Sequence, residues 1–336
     1  MPSSPLDKLE SSERTRAVAA PFPEWLSPML ATLTDTPFSD ENWLFEPKFD
    51  GERCLTFRHG GEVHLMSRNR KDISGTYPEV AESIARQALP DFIVDGEIVA
   101  FEGEVTSFSR LQNRMKLTDP AAVRNSDIPV YYYVFDILYA DGHDVTGLPL
   151  RQRKALLRAA LEFRDPLRFT EHRDRDGKEY FAEACPKGWE GIIAKDAGAP
   201  YVQERSKKWL KFKCVKEQEV VIGGFTDPEG SRVGLGALLV GYYKDKKLMY
   251  AGKIGTGYDD ATLVDLRNKL GHLETDAPAF APDDELPRHH VHWVEPKLVA
   301  QAKFTEWTDH GKLRHPVYLG LRRDKDPQEV IREVTR

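Results

Sequence analysis

A lysine between two carboxylates is the residue whose chemistry the sequence points to first. Lys48 lies in the stretch Glu46-Pro47-Lys48-Phe49-Asp50-Gly51-Glu52-Arg53, with apolar and aromatic residues on both sides. A lysine that is packed among such side chains and lies beside other cations loses part of its preference for the ammonium form, and the neutral amine is a nucleophile. Gly51 would let a bulky phosphate approach the backbone. Because a surface lysine near a turn gives the same short pattern, the interpretation depends on the residues that follow.

Charged side chains recur inside apolar, strand-like segments downstream of Lys48. These segments are Asp95-Gly96-Glu97-Ile98-Val99, Phe135-Asp136, Glu190-Gly191-Ile192-Ile193-Ala194-Lys195 and Trp209-Leu210-Lys211-Phe212-Lys213. Charges in such surroundings are costly unless they are paired or bound to a ligand. One of them alone predicts an internal ion pair. The whole set predicts a polar cleft with a nucleophile, cations for a polyphosphate, an aromatic ring for a base, and carboxylates for a ribose and a metal, which together suit a nucleoside triphosphate.

Short strands and a few helices would position these residues. Strands are predicted at residues 53–58, 62–67, 92–101, 130–138, 191–195 and 208–213, and helices at 77–89, 151–163 and 179–185. The first two strands flank His59-Gly60-Gly61 and form a predicted β-hairpin. Lys211 and Lys213 share one face of their strand, because strand side chains alternate with a period of two.

The composition changes after Lys216, which indicates a second domain. Strands are predicted at 220–226, 238–243, 248–254, 290–294 and 299–307, with a helix at 261–270. Short strands with one intervening helix are typical of a five-stranded barrel of the oligonucleotide-binding (OB) type. The predicted fold class is therefore α+β. We expect a loosely ordered lead-in at 1–24, a first domain at 25–216 and a barrel at 217–336.

The overall composition is that of an ordinary water-soluble protein. Of the 336 residues, 40% are hydrophobic and 30% charged, and no apolar stretch approaches the roughly 20 residues that a membrane span needs. The net charge of -6 does not by itself predict a nucleic-acid partner, but cations concentrate at 205–216 and 314–325. Cys54, Cys185 and Cys214 form no CxxC pair. This predicts a reducing cytoplasm, without a disulfide framework or a zinc finger.

Taken together, these segments resemble the motifs of the covalent nucleotidyltransferases, which include ATP-dependent DNA ligases, RNA ligases and mRNA capping enzymes. Residues 293–297, 302–307, 313–316 and 320–325 narrow the resemblance to the ligase module of bacterial ligase D, the DNA ligase of non-homologous end joining. The resemblance covers residues 24 to 334. It implies a nucleotidyltransferase (adenylation) domain of antiparallel sheets with flanking helices, followed by an OB-fold β-barrel.

The resemblance also implies a role for each candidate residue. Lys48 would attack the α-phosphorus of ATP, expel pyrophosphate and hold AMP as a phosphoramidate. The other implied roles are nucleotide contact for Glu46, ribose and phosphate contact for Arg53, nucleotide and DNA-end contact for Arg68, ribose binding for Glu97, adenine stacking for Phe135, Mg²⁺ or Mn²⁺ binding for Glu190, phosphate neutralisation for Lys195, Arg205, Lys211 and Lys213, and pyrophosphate orientation for Arg322 and Lys325. An aromatic ring suits stacking, and a carboxylate suits a hard cation.

AMP would then pass to the 5′-phosphate at a nick, and the 3′-hydroxyl would displace it. Because Arg322 and Lys325 lie far along the chain from Lys48, a moving barrel is implied, with a candidate hinge near Lys216-Glu217. The expected partners are nicked or broken duplex DNA, Ku, and a repair polymerase or nuclease, and the expected state is a monomer in the bacterial cytoplasm, at the nucleoid. The helical DNA-binding domain of many DNA ligases and the nuclease and polymerase modules of ligase D are missing from the sequence, which predicts modest, salt-sensitive affinity for nicks.

Two alternatives remain open at this stage. An RNA ligase or a capping-type guanylyltransferase would use the same lysine and would differ in its choice between ATP and GTP. A non-catalytic nucleotide- or DNA-binding module would keep the fold without the reaction.

Overall fold

The structure is a computed structural model and describes residues 5–8, 15–230 and 232–333. The chain divides into two compact units, with the division between Cys214 and Val215. Each unit has its own hydrophobic core. Among the described residues, none of the helices combines the length and the apolar character that crossing a membrane requires.

The first unit contains thirteen strands, five α-helices and one 3₁₀ turn within the described residues. The strands are β1 (Val18–Ala19), β2 (Leu30–Leu33), β3 (Trp43–Lys48), β4 (Glu52–His59), β5 (Glu62–Ser67), β6 (Phe92–Glu102), β7 (Val105–Thr106), β8 (Val130–Ala140), β9 (His143–Asp144), β10 (Leu167–Phe169), β11 (Arg173–Asp174), β12 (Gly191–Asp196) and β13 (Arg205–Lys213). The helices are α1 (Pro78–Ala85), α2 (Phe108–Met115), α3 (Pro120–Arg124), α4 (Leu150–Ala160) and α5 (Gly177–Ala184), and the 3₁₀ turn is Pro5–Lys8. The predicted helices correspond to α1, α4 and α5, whereas α2 and α3 were not predicted.

The larger sheet of this unit is buried on both faces. Its strand order is β1-β9-β8-β6-β4-β5, with β10 parallel to β8 and β7 paired with β6. One face packs Val94, Ile98 and Tyr132 against the helices. The other face carries Leu55 and Ile93 in a second cluster, which explains why β6 and β8 are almost continuously apolar.

The smaller sheet has one apolar face and one charged face. Its strand order is β11-β3-β12-β13-β2. Phe45, Ile192, Ala194 and Phe212 pack against α5 on the apolar face. Side chains alternate along each strand, so the residues between them in sequence project from the opposite face. Five of the predicted site residues lie on that opposite face, namely Glu46, Lys48, Lys195, Lys211 and Lys213.

Within the lead-in predicted over residues 1–24, the described residues 15–24 contact the larger sheet. Strand β1 pairs antiparallel with β9. Phe22 stacks on His59 with 4.3 Å between ring centroids, and Trp25 stacks on Phe57 at 5.8 Å. These aromatic contacts hold a Pro-rich segment that has little regular structure of its own. Residues 1–4 and 9–14 lie outside the described residues.

The second unit contains eight strands, one α-helix and one 3₁₀ turn within the described residues. They are β14 (Glu217–Thr226), β15 (Leu238–Lys244), β16 (Lys247–Ile254), α6 (Asp260–Gly271), β17 (Glu274–Thr275), β18 (Val291–Lys303), β19 (Glu306–Trp307), β20 (Leu313–Arg314), β21 (Val317–Arg322) and the 3₁₀ turn Pro327–Glu329. Asp259 caps α6 by accepting a hydrogen bond from Thr262 N at 2.7 Å.

The main sheet of the second unit curls but does not close as a continuous ladder. Its order is β16-β15-β14-β18-β17, with β21 paired to β18. A single bridge between Thr256 and Val317 connects the end of β16 to β21. Strand β18 is one long strand where the sequence predicted two. Its pairing with β14 shifts register between Ile222 and Gly224, which bends the sheet in one place and does not break it.

Candidate active site

Strands β3, β12 and β13 arrange the predicted residues in parallel rows on the charged face of the small sheet. In the first row Lys48 lies opposite Gly191, and Gly191 lies opposite Lys213. The next rows are Glu46, Ile193 and Lys211, and then Leu44, Lys195 and Trp209. Successive rows of one face are about 7 Å apart, because two residues of a strand span that distance. The sheet therefore brings together lysines that are up to 165 residues apart in the sequence.

Lys48 forms an ion pair with Glu190, the residue just before β12. The two side chains are 18% and 9% exposed. Burial alone would raise the pKa of Glu190, but Lys48 and Lys213 hold that pKa below its ordinary value. The sequence placed Lys48 among cations, and the structure adds this carboxylate as its direct partner.

Gly51 is required for the packing of strands, which differs from the prediction that it makes room for a phosphate. A Cβ atom at Gly51 would lie 2.3 Å from the carbonyl oxygen of Ile98 and 2.9 Å from Cγ of Glu97. Asp50 is also structural, since its Oδ2 accepts a hydrogen bond at 3.0 Å from the backbone N of Phe108, at the start of α2. The turn after Lys48 is thus fixed against β6 and α2.

Glu46 is buried between Lys154 and Lys195. The sequence predicted Lys195 as a site residue but not Lys154. Lys195 Nζ lies 2.6 Å from Glu46 Oε2, and Lys154 Nζ lies 2.5 Å from Glu46 Oε1. Burial would raise the pKa of Glu46, but Lys154 and Lys195 keep that pKa below its ordinary value. Burial lowers the pKa of Lys195 to about 8, with Lys154 acting in the same direction and Glu46 opposing it. Lys154 occupies the buried face of α4 together with Leu150 and Leu157, and that helical spacing was the available signal for it.

Arg53 lies beside the aromatic ring of Phe135. The resemblance had implied that Arg53 contacts the ribose and phosphates of the nucleotide. Its Nε and Nη2 donate hydrogen bonds to the two carboxylate oxygens of Asp95, both at 2.5 Å. Burial would lower the pKa of Arg53, but Asp95 raises it above its ordinary value. The hydroxyl of Tyr201 also donates to Asp95, at 2.7 Å. Asp95 thus has the internal ion pair that a buried strand carboxylate predicts.

Phe135 and Trp209 form an aromatic corner around the ammonium group of Lys195. The Lys195 Nζ lies 4.0 Å from the ring centroid of Phe135 and 4.2 Å from that of Trp209. The guanidinium carbon of Arg53 lies 4.7 Å from the Phe135 centroid. Phe135 follows a register shift between β6 and β8 at Asp95 and Gly96, and such a shift re-aims a side chain. Trp209 was not predicted as a site residue, although it stands two positions before Lys211.

Three predicted site residues of the first unit remain, and they lie outside the rows of the charged face. Glu97 pairs in register with Arg53 across β4 and β6, which places it close to Gly51. Arg68 follows β5 in the tight turn closed by the hydrogen bond from Ser67 N to Lys71 O at 2.8 Å. Arg205 is exposed at the far end of β13 and donates to Ala31 O at 2.6 Å. The structure therefore does not bring Arg205 into the Lys48 row.

Arg322 and Lys325 belong to the second unit and are ion-paired within it. Arg322 donates through Nε and Nη2 to Asp324, at 2.9 and 2.8 Å. Lys325 Nζ lies 2.8 Å from Glu219 Oε1. Burial would raise the pKa of Asp324, but Arg322 and Lys325 lower it. Both cations thus have carboxylate partners inside their own unit.

Comparison with known proteins places this site in one family. Residues 28–213 match the family described as ATP dependent DNA ligase domain, and residues 231–325 match the ATP dependent DNA ligase C terminal region. The chain is 36% identical over 320 residues to the multifunctional non-homologous end joining protein LigD of Pseudomonas aeruginosa, and 38% identical over 315 residues to LigD of Mycobacterium bovis. These matches cover 93% and 92% of this chain. This chain spans 37% and 40% of the lengths of the two proteins.

One solved structure is similar to most of this chain. It is a mycobacterial DNA ligase D complexed with ATP and MES, with a TM-score of 0.64 and 36% sequence identity. The match covers 92% of this chain and 98% of that one. The class is therefore α+β, with an adenylation domain followed by an OB-fold-type domain, as the sequence predicted. The chain belongs to the ATP-dependent DNA ligase family.

Proposed function

We propose that this chain is an ATP-dependent DNA ligase that seals nicks or breaks in duplex DNA through a lysyl-AMP intermediate. The observation that carries the proposal is the pairing of Lys48 with Glu190 in the same row as Lys213. This arrangement supplies a nucleophile with a carboxylate in direct contact and a phosphate-binding cation two strands away in the same row. Membership of the ligase family supports the choice of ATP and of DNA.

In the proposed first step, Nζ of Lys48 attacks the α-phosphorus of ATP. A bond forms between nitrogen and phosphorus, and the bond from that phosphorus to the bridging oxygen of pyrophosphate breaks. Lys48, which is partly exposed, must first lose a proton to solvent and leave Glu190, because only the free amine is nucleophilic. AMP then passes to the 5′-phosphate of the broken strand and frees Lys48. The 3′-hydroxyl finally displaces AMP and forms the phosphodiester bond.

The order of the rows supports one direction for the bound nucleotide. The Lys48 row and the Lys195 row are four residues apart on β3, about 13 Å. We place the phosphates at Lys48, Lys211 and Lys213, and the base at the corner of Phe135 and Trp209. Lys195 and Arg53 then lie at the base end, which revises the phosphate roles that the resemblance implied. Glu97, in register with Arg53, is the proposed ribose contact.

Glu190 is the residue that would hold Mg²⁺ or Mn²⁺. Among the described residues, no group of three or more His, Cys, Asp or Glu side chains is arranged to bind a metal ion. A single carboxylate fits a hard cation that takes its other oxygens from phosphates and water, as Mg²⁺ commonly does. When bound, the ion would neutralise charge on the phosphates.

We assign nucleotidyl transfer to the first unit and propose that the OB-fold-type unit supplies Arg322 and Lys325 for pyrophosphate. The division after Cys214 supports a hinge near Lys216-Glu217. The end-joining names of the relatives support a role in DNA repair, with Ku and a repair polymerase or nuclease as candidate partners. A monomer in the bacterial cytoplasm, at the nucleoid, is the arrangement proposed.

The reaction can be tested with α-labelled ATP. The protein is incubated with the label and Mg²⁺ or Mn²⁺ and then separated by denaturing electrophoresis. Wild type is expected to retain covalent label. Lys48→Ala is expected to retain none, because the nitrogen that bonds phosphorus is gone. Lys208→Ala is a matched control, since Lys208 is an exposed lysine on β13 that pairs with Asp196 at 2.9 Å.

The outcome also separates the alternatives. Label retained by Lys48→Ala would refute the nucleophile assignment. Stronger labelling from GTP than from ATP would indicate a guanylyltransferase. Labelling of wild type without sealing of a nicked duplex would exclude DNA ligation.

A further inference from the structure

Lys154 is a buried lysine outside every motif that carries the proposed reaction. It lies on α4, and its side chain is 2% exposed. Besides its ion pair with Glu46, its Nζ donates a hydrogen bond to the carbonyl oxygen of Thr170 at 2.9 Å. The same nitrogen lies 4.7 Å from the ring centroid of Phe169. The lysine is thus held on three sides, away from solvent.

Glu46 links Lys154 to the aromatic corner. One carboxylate oxygen contacts Lys154 and the other contacts Lys195, so the three side chains form a chain that is 2% exposed at each member. The last member, Lys195, lies at about 4 Å from both Phe135 and Trp209. The position of Lys195 therefore depends on where Lys154 holds Glu46.

The charges of Lys154, Glu46 and Lys195 do not cancel. Two ammonium groups share one carboxylate, which leaves one positive charge in excess within the buried site. The other carboxylate that acts on Lys195, Asp136, is already paired with Arg153 at 2.7 Å, and both of those side chains are fully buried. An uncompensated buried charge is costly on its own, so the contacts of Lys195 with the two aromatic rings are needed to hold it in place.

We propose that Lys154 is a positioning residue for the nucleotide, because through Glu46 it holds Lys195 against the rings of Phe135 and Trp209. The inference rests on the proposed function and adds a residue to it. Loss of Lys154 leaves one oxygen of Glu46 without a cation, so Glu46 and Lys195 can form a simple pair and move away from the corner. A lysine that served only the packing of α4 would change stability and leave nucleotide affinity alone.

The first test measures ATP affinity by calorimetry in the presence of EDTA, where no metal-dependent reaction proceeds. Lys154→Met is expected to weaken ATP binding about tenfold, since charge-assisted contacts of this kind are worth about that factor. Lys154→Arg keeps the charge and is expected to recover most of the affinity. Equal affinity of Lys154→Met and wild type would overturn the proposal.

Lys312 provides a matched control. It is also a buried lysine that pairs with a carboxylate, Asp283, donates to a backbone carbonyl, Tyr250 O at 3.0 Å, and lies 4.6 Å from an aromatic centroid. Because it belongs to the second unit, Lys312→Met is expected to lower the melting temperature without changing ATP affinity. An equal loss of affinity in both variants would assign the effect to general destabilisation and overturn the proposal.

The pH dependence of ATP affinity supplies a second measurement. The charged groups that surround Lys195 are Glu46 on β3, Lys154 on α4, Asp136 on β8 and Arg53 on β4. The pKa of Lys195 is about 8, so ATP affinity is expected to fall as the pH rises through that value. In Lys154→Met this fall should move to higher pH, because a neighbouring cation that lowers the pKa is removed. A fall in affinity at the same pH in Lys154→Met and in wild type would contradict the proposal.

The binding measurement separates a failure of the proposed ligase reaction from a failure of the proposed role of Lys154. If wild type binds ATP but forms no labelled adduct with metal, the proposed ligase reaction fails while the role of Lys154 in binding is still decided by affinity. If wild type forms the adduct and Lys154→Met binds ATP equally well, only the positioning role fails.

Discussion

Single residues in this protein owe their environments to partners that are distant in sequence. Glu46 meets Lys154 and Lys195, and Arg53 meets Asp95. Both of these carboxylates are paired with cations, because an unpaired charge in a strand would be far more costly. The type of partner is predictable from this rule, but its identity is not.

His292 allows a prediction about stability at the level of one residue. Its Nε2 lies 2.8 Å from Asp227 and its Nδ1 lies 3.1 Å from Glu274, while its ring stacks on Phe225 at 4.7 Å. Burial lowers the pKa of His292, but the two carboxylates outweigh burial and raise that pKa above 6.5.

Since the folded pKa is the higher one, the stabilisation is complete below the unfolded value of about 6.5 and is lost as pH rises through the raised value. We expect the free energy of unfolding of the second unit to fall over this window by less than about 1 kcal/mol, because the pairs are partly exposed. His292→Gln should remove this pH dependence in chemical denaturation, whereas the exposed control His289→Gln should keep it. The same slope in both variants would show that His292 is not its source.

At the level of elements, the end of α5 and the end of β13 are joined by a disulfide bond between Cys185 and Cys214. The sequence analysis predicted no disulfide, and this prediction was wrong for this pair. The two cysteines are 29 residues apart with no motif to connect them. They meet because α5 packs on the apolar face of β12 and β13. Cys54 is free and buried, and burial raises the pKa of its thiol.

The disulfide predicts a redox-dependent stability. Closing a loop of this length contributes about 3 kcal/mol in the chain-entropy description. Dithiothreitol is therefore expected to lower the melting temperature of wild type by several degrees. Cys185→Ser should melt at the lower temperature with or without the reductant. The disulfide bond would be refuted if dithiothreitol did not change the melting temperature of wild type. It would also be refuted if the intact mass showed three free thiols in the absence of dithiothreitol.

The same bond lies next to the proposed site. The backbone N of Cys214 donates to the carbonyl oxygen of Glu190 at 2.9 Å. Reduction should therefore also affect how firmly Glu190 is held opposite Lys48. Self-adenylation measured with and without dithiothreitol, in wild type and in Cys185→Ser, would show whether the two are coupled.

For the whole molecule, the proposed self-adenylation step requires residues from both units. Lys48 and Glu190 belong to the first unit, whereas Arg322 and Lys325 belong to the second. Lys325→Ala is expected to slow self-adenylation by at least about tenfold, since it removes a cation that neutralises developing charge on the leaving pyrophosphate. Sealing of a nick that already carries AMP involves no pyrophosphate, so that step should change little.

The control for this prediction is Lys303→Ala, which removes an exposed lysine at the end of β18. Both steps should proceed at wild-type rates in that variant. An equal loss of both steps in Lys325→Ala would argue for a general folding defect or a DNA-binding role. Lys216→Pro tests the proposed hinge in the same assays, and unchanged rates would remove the hinge assignment.

The sequence by itself predicted the class of the protein and singled out the main residues to which the reaction is assigned. Lys48, Glu190, Lys211 and Lys213 were chosen from residue types and strand periodicity, and the family resemblance was confirmed by the comparisons. These features are local. A strand pattern, or a reactive lysine with its neighbours, depends on only a few consecutive residues and can be recognised from them.

Only the tertiary structure decided which charges meet. It placed Lys154 beside Glu46, turned Arg53 to the aromatic corner, joined Cys185 to Cys214 and assigned Gly51 to strand packing. Each of these contacts depends on the register between strands or on the packing of a helix against a sheet. Register and packing arise from the whole core at once, so no short stretch of sequence contains them.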